Sequence, residues 1–202
     1  MGTRQFCTNI ILCMWLLADA VRFFQFGSEI AASEVVYWGF GFAFLLCAGF
    51  VLWRPVALRQ DISASAVIVA IVASCWPLTI GGLLPAAPIS MPVLIMQGVA
   101  LAVLLFAILT LRFNFSVLPQ YRSITTNGPY AIVRHPLYSA YLLFDGALVC
   151  QLASWLGLGL WIAEGALFAW RAELEERLLI ESDKSYSNYR THVQYRFMPF
   201  VY

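Results

Sequence analysis

From Met91 to Leu111 the chain reads MPVLIMQGVALAVLLFAILTL, an apolar run without one charged residue. About 20 such residues are what a helix needs to cross the hydrocarbon core of a bilayer. Lipid offers no partner to backbone N–H and C=O groups, so an isolated run of this kind must close its hydrogen bonds as a helix. Further apolar segments lie at Phe6–Phe26, Val35–Trp53 and Ile62–Leu83, and two shorter ones at Leu137–Cys150 and Trp155–Trp170. A water-soluble domain of 202 residues that is 61% hydrophobic and 11% charged would leave too much apolar surface outside. The expected fold is an all-α integral-membrane bundle of about six helices, the last two a short hairpin, with a cytosolic C-terminal helical cap.

Two breaks define the count. The stretch GGLLPAAPISMP, Gly81–Pro92, clusters Gly and Pro and separates the third segment from the fourth. Leu137–Trp170 as one helix would run about 51 Å at about 1.5 Å per residue, well beyond a bilayer core. A break at Gln151–Ser154 turns it into a hairpin and returns Arg134 and Arg171 to the same side.

Six crossings put Arg4, Arg54, Arg59, Arg112, Arg122, Arg134, Arg171, Arg177, Lys184, Arg190 and Arg196 on one side and Arg22 alone on the other. Cytoplasmic loops carry the excess of Lys and Arg, so both termini and the loops with most of the chemistry are expected in the cytoplasm. A multi-pass protein of a bacterial inner membrane is the expected location. Arg4, the run after it and Ala18–Ala20 also imitate a signal peptide, whose removal would leave five spans.

The chain divides into residues 1–111, a four-span bundle, and residues 112–202, which hold the polar loop, the hairpin and a charged, tyrosine-rich tail. A net charge of +1 gives no basic field for nucleic acid. Cys7, Cys13, Cys47, Cys75 and Cys150 form no CxxC and have no histidine at zinc spacing. They read as small buried hydrophobes, and no metal is expected. GFG at Gly39–Gly41 and GLG at Gly157–Gly159 fall inside spans, without the strand–turn–helix setting of a dinucleotide loop.

Reactive side chains concentrate in NGPYAIVRHPLYSAYLL, Asn127–Leu143. Gly128-Pro129 turns the chain, and Pro136 holds His135 extended at a helix entrance, where free N–H groups attract anions. Tyr138 and Tyr141 follow one turn apart; for the tyrosines alone a membrane-interface belt is the favoured explanation, but a belt does not account for the whole cluster with Arg134 and His135. In RAELEERLL, Arg171 with Glu175 and Glu173 with Arg177 stand at the spacing of ordinary helix-surface pairs. Glu176 lies about 140° round the helix from Arg171, on the side of Leu179 and Ile180. Tyr186, Tyr189, Arg190 and Val193 share a further helical face. Asp19, Asp145 and Glu164 fall inside predicted spans, where carboxylates are costly and become functional candidates. Arg22 is a local partner for Asp19, and Asp145 and Glu164 lie on the two arms of the hairpin.

GPYAIVRHPLYSA, EERLL (Glu175–Leu179) and YSNYRTHVQYRFMP (Tyr186–Pro199), in that order, resemble the isoprenylcysteine carboxyl methyltransferase family and the related phospholipid methyltransferase-like membrane enzymes. Their pattern is a GPY turn, RHPxYxG, a membrane hairpin, EExxL and a closing YxxY…V…P. The likeness covers about Thr126 to Pro199; Ala140 stands where the family usually has Gly. It implies S-adenosylmethionine bound outside a Rossmann fold, in a cytosolic pocket closed by the tail over the RHP turn, with S-adenosylhomocysteine as product. Carried over by position, Gly128, Pro129, Tyr130, Arg134, His135, Tyr138, Glu175, Tyr186, Tyr189 and Arg190 would contact the cofactor. Arg171 and Glu176 match the substrate end.

The implied partners are the bilayer and a lipid-like or prenylated small molecule, with carboxylate O-methylation favoured because a carboxylate needs no general base. An amine or thiol would need one, with Glu176 or His135 as candidates. Membrane sterol reductases share an RHPxY-like segment and a tail similar to YRFMPFVY, which implies NADPH instead. The three intramembrane carboxylates keep a transporter or scaffold open.

Overall fold

The computed structural model describes residues 3–29, 34–75 and 89–201. It is 76% helical. The helices are α1 (Thr3–Glu29), α2 (Glu34–Trp53), α3 (Ala64–Cys75), α4 (Met91–Leu111), α5 (Pro136–Leu152), α6 (Trp155–Ser182) and α7 (Ser185–His192). Arg59–Gln60 (β1) and Gln120–Tyr121 (β2) pair antiparallel, a small clasp that the apolar pattern does not foretell.

Among the described residues, three stretches are long and apolar enough to cross a membrane: Thr8–Gln25, Glu34–Trp53 and Met91–Asn114. Their outward faces support that reading. On α4, Val93, Gln97, Ala100, Leu104, Ala107 and Ile108 form the buried stripe. The opposite face presents Met91, Ile95, Val99, Phe106 and Leu109. A helix on a water-soluble protein would be polar there. This is the surface expected of an all-α membrane protein.

The third apolar segment is described as the shorter helix α3; its residues 76–83 and the breaker up to residue 88 lie outside the described residues. The GFG and GLG stretches lie within α2 and α6. Of the cysteines, Cys13 and Cys47 are buried, whereas Cys150 is exposed on the outer face of α5, a correction to its reading as a buried hydrophobe. The side chains of Cys7 and Cys75 lie outside the described residues.

The main core joins α1, α2, α4 and α5 through Leu16, Phe40, Val51, Leu104 and Phe144, crossing the division at residue 111. Ala140, at the family's usual glycine, is fully buried in it. Phe40 and Phe144 set their ring centroids 4.3 Å apart. One end of this bundle is tied by Arg54, which donates from Nε and Nη2 to Asn9 Oδ1 at 2.9 and 2.6 Å and from Nη1 to Phe115 O at 3.1 Å.

The hairpin folds back. Ala153 takes a left-handed conformation, and Ser154 accepts from the Gly157 N–H. Trp161 Nε1 then donates to Leu142 O at 2.8 Å, and the carboxyls of Asp145 and Glu164, 2% and 0% exposed, face each other between the arms. α6 continues without a break through Arg171, so the second arm and the first helix of the tail are one rod.

Candidate functional site

The chain turns at Gly128–Ala131 in a short 3₁₀ helix. Gly128 has φ of 58°, and a Cβ there would come within 2.9 Å of Thr110 Oγ1, so both conformation and space favour glycine. Five residues after Ala131 α5 begins at Pro136, with His135 at its entrance.

The tail closes over this turn through its backbone. The Arg134 N–H donates to Tyr195 O at 2.9 Å and the His135 N–H to Arg196 O at 2.9 Å. Ser139 Oγ adds a bond to Phe197 O at 2.6 Å. Arg134 also spends its Nη1 on Val193 O and Gln194 O, at 2.8 and 2.6 Å. Tyr186, Tyr189 and Val193 form a small core with Ile124, Leu179 and Ile180 behind them. Tyr189 Oη reaches back to Tyr130 O at 2.6 Å.

The two glutamates after Arg171 have different fates. Glu175 Oε1 accepts from Tyr138 Oη at 2.6 Å and from Arg171 Nε at 3.2 Å, and its Oε2 stands 3.7 Å from His135 Nδ1. The spacing of Arg171 and Glu175 is that of a surface pair, but the pair is sunk: the arginine side chain is 8% exposed and the glutamate 20%. Glu176 is 1% exposed and surrounded by cations. It accepts from Arg134 Nε at 2.8 Å, lies 3.1 Å from His135 Nε2 and 3.3 Å from Arg196 Nη2, and has Arg190 at 4.0 Å. Burial opposes its ionisation, but hydrogen bonds from His135 and Arg134 outweigh burial and hold its carboxyl down at about 2.

Arg171 is anchored on three elements. Besides Glu175 it donates from Nη1 to Ser74 Oγ at 3.2 Å and from Nη2 to Val117 O at 2.6 Å. Its guanidinium carbon sits 5.3 Å above the Tyr138 ring, which itself stacks on Phe168 at 4.8 Å and on His135 at 5.4 Å. Among the described residues, three of its five N–H groups are thus engaged, leaving one on each terminal nitrogen.

These groups open on a cavity of about 190 Å³. One limb is polar and aromatic, with Tyr130, Arg134, His135, Glu175, Tyr186 and Tyr189. The other is apolar and reaches between α1 and α2, to Leu12, Leu16, Phe23 and Phe44. Tyr138, Phe168 and Arg171 line it too: Tyr138 stacks on His135 and on Phe168, and Arg171 bonds to Glu175. Gly128, Pro129, Glu176 and Arg190, named from the sequence, do not line it: the first two shape the turn, and Glu176 lies behind the wall with Arg190 against it.

Sequence reasoning passed over several lining residues: Ser74 on α3, Asn114 and Val117 in the loop after α4, and Trp15 on α1. The density of Asn, Ser, Gln and Thr in residues 114–125 is the one available sign of this wall. A scan against models of known protein families finds no match, and no curated protein shows significant similarity to the chain.

Proposed function

We propose that this protein is an integral-membrane methyltransferase that uses S-adenosylmethionine to methylate a lipid-like acceptor, with a carboxylate as the favoured methyl-accepting group. The single observation carrying the proposal is that Arg171 lines one cavity together with a polar, aromatic set around Glu175 and an apolar set from α1 and α2. The ordered motifs GPY, RHPLY, EERLL and YSNYR add the family likeness.

The polar limb suits the cofactor. Its wall of buried tyrosines, Tyr130, Tyr186 and Tyr189, offers flat faces to an adenine ring and to a sulfonium cation. Glu175 brings the carboxylate that lines this limb. These residues, with Arg134 and His135, would hold the cofactor. When bound there, S-adenosylmethionine supplies an electrophilic methyl group on a sulfonium.

The chain's own contribution is placement and exclusion of water. Arg171 directs its two remaining N–H groups to a carboxylate acceptor, a fork that fixes the attacking oxygen. An α-carboxyl has an ordinary pKa of about 3.3–3.7, so such an acceptor is already ionised at neutral pH and needs no general base. Holding acceptor and methyl donor in contact supplies much of the rate. Glu176 takes a positioning role: it fixes Arg134 and His135 and leaves acceptor contact to Arg171.

In this reading the chain crosses the bilayer six times, α5 and the first part of α6 form the last two crossings, and the rest of α6 with α7 caps the cytosolic side. Arg54, Arg59, Arg122, Arg134, Arg171 and Arg196 then belong to the cytosolic end, as an excess of cations inside requires. The acceptor enters from lipid and the cofactor from cytosol. Calorimetric titration of the protein in nanodiscs tests the proposal: S-adenosylhomocysteine binds and NADPH does not. Binding of NADPH alone would favour the reductase reading, and binding of neither overturns both.

A further inference from the structure

Asp19 is the one carboxylate that lines the apolar limb among the described residues. Asn9 marks the end of α1 tied to Arg54, and Asp19 lies ten residues further along the helix, about 15 Å deeper at about 1.5 Å per residue. Its side chain is 5% exposed. Trp15, one turn earlier, bonds to the carboxylate, and Arg22 Nη1 sits 3.5 Å from Oδ1, yet among the described residues Oδ1 has no hydrogen-bond partner. A buried carboxylate oxygen without a donor costs free energy, which a ligand's donor would recover.

The position connects to the reacting end. Tyr141 packs its ring 6.0 Å from that of Phe168 and lies within electrostatic reach of both Arg171 and Asp19. The two charged groups thus line one cavity on either side of Tyr141, and Leu16, Phe23 and Phe44 line it with them.

Resting on the reading of this cavity as the acceptor's site, we propose that Asp19 recognises a neutral hydrogen-bond donor, a hydroxyl or amide N–H, on the apolar body of the acceptor, remote from the group held by Arg171. Arg22 decides for a neutral donor. Its guanidinium already balances the carboxylate, and a cationic ligand group would meet that charge at close range. The acceptor class is thus a bipolar amphiphile, with an anionic head at Arg171 and a hydroxyl or amide within the membrane.

The test uses matched acids with and without a terminal hydroxyl, plus the terminal amine. Their chains span roughly 8 to 16 carbons, lengths on either side of the about 15 Å rise along α1 from Asn9 to Asp19. Thermal stabilisation of the full-length protein is measured without cofactor. At the best chain length the wild type favours the hydroxy acid over the plain acid about fivefold in apparent affinity, the scale of one net hydrogen bond. Asp19→Leu abolishes the preference, and Asp19→Asn, whose amide oxygen still accepts, retains part of it. Equal affinity for the plain and hydroxy acids across the wild-type series would overturn the inference. A tighter amine, or a preference surviving in Asp19→Leu, would do the same. Should the leucine variant fail to fold, the wild-type series and the asparagine variant still decide. Binding of S-adenosylhomocysteine to the same samples reports separately on the methyltransferase reading.

Discussion

Arg134 Nε donates to Glu176 Oε1 at 2.8 Å, and the two side chains are 5% and 1% exposed. Between them they tie the RHP turn to α6, while Nη1 of Arg134 holds the tail carbonyls of Val193 and Gln194. A buried pair of this kind says little about net stability when intact, but removing one member strands the other.

Glu176→Ala is therefore expected to destabilise the protein by about 3–5 kcal/mol, because Arg134 and His135 lose their shared acceptor in a sealed site. Thermal unfolding in detergent measures the loss. On the proposed methyltransferase function, turnover is expected to fall with it and S-adenosylhomocysteine binding to weaken, since His135 and Arg134 are no longer oriented.

The same residue sets an acid limit. The Glu176 carboxyl is held at about 2 against an ordinary 4.5, so the folded state stabilises its ionised form. That stabilisation is complete above about pH 4.5 and drains away as pH falls towards 2, amounting to about 3 kcal/mol in all. Glu176→Gln lacks this component. The stability gap between wild type and Glu176→Gln should narrow through that window and stay constant between pH 5 and 7. A gap that is the same at pH 3 and pH 7 counts against the assignment.

Arg171→Lys separates charge from shape. An ammonium on a flexible stem cannot reach Glu175, Ser74 and Val117 together and still present a fork to an acceptor. Methyl transfer to a lipid-like carboxylic acid is expected to fall about a hundredfold in kcat/KM, the scale of about 2.7 kcal/mol of lost transition-state placement. S-adenosylhomocysteine affinity, read by calorimetry, falls far less than turnover, because Glu175 keeps its bond from Tyr138.

Much of this architecture is legible in the sequence, for a physical reason: runs as long and uncharged as Met91–Leu111 admit little besides a helix. The hairpin follows as directly, since Leu137–Trp170 is too long to span once. Spacing gives Arg171 with Glu175 and Arg177 with Glu173, both of which form. What spacing cannot give is depth. The Arg171 pair is buried because Ser74 and Val117 come to it from distant segments, and nothing local announces them. Glu176 reads as a helix-face residue near Leu179, while its partners Arg134, His135 and Arg196 arrive from two other stretches of chain. Cys150 fails for another cause. On a helix that is apolar all round, periodicity does not tell the core face from the lipid face.

Tyr138→Phe removes one hydroxyl and little else. The ring keeps its stack on Phe168 and its place beneath Arg171, while Glu175 loses the donor at 2.6 Å. The loss of that bond to a carboxylate costs about 1.5–3 kcal/mol of stability. Glu175 is then freer to swing, and cofactor affinity is expected to drop several-fold, whereas the KM for the lipid-like acceptor moves little. Calorimetry and steady-state kinetics on one preparation separate the two effects.

Sidedness of the hairpin can be read by single-cysteine labelling on a background lacking the five native cysteines. Ile132 is 60% exposed just before the RHP turn, Arg177 has a side chain 68% exposed on the tail part of α6, and Trp155 is 87% exposed at the hairpin tip. If α5 and α6 cross and return, cysteines at positions 132 and 177 react with a membrane-impermeant maleimide from the cytosolic face, and one at position 155 from the opposite face. All three labelling from the cytosol would mean a hairpin that lies along the interface. Labels at 132 and 177 from opposite faces would contradict the fold itself, because Glu176, one residue before Arg177, lies 3.1 Å from the His135 ring.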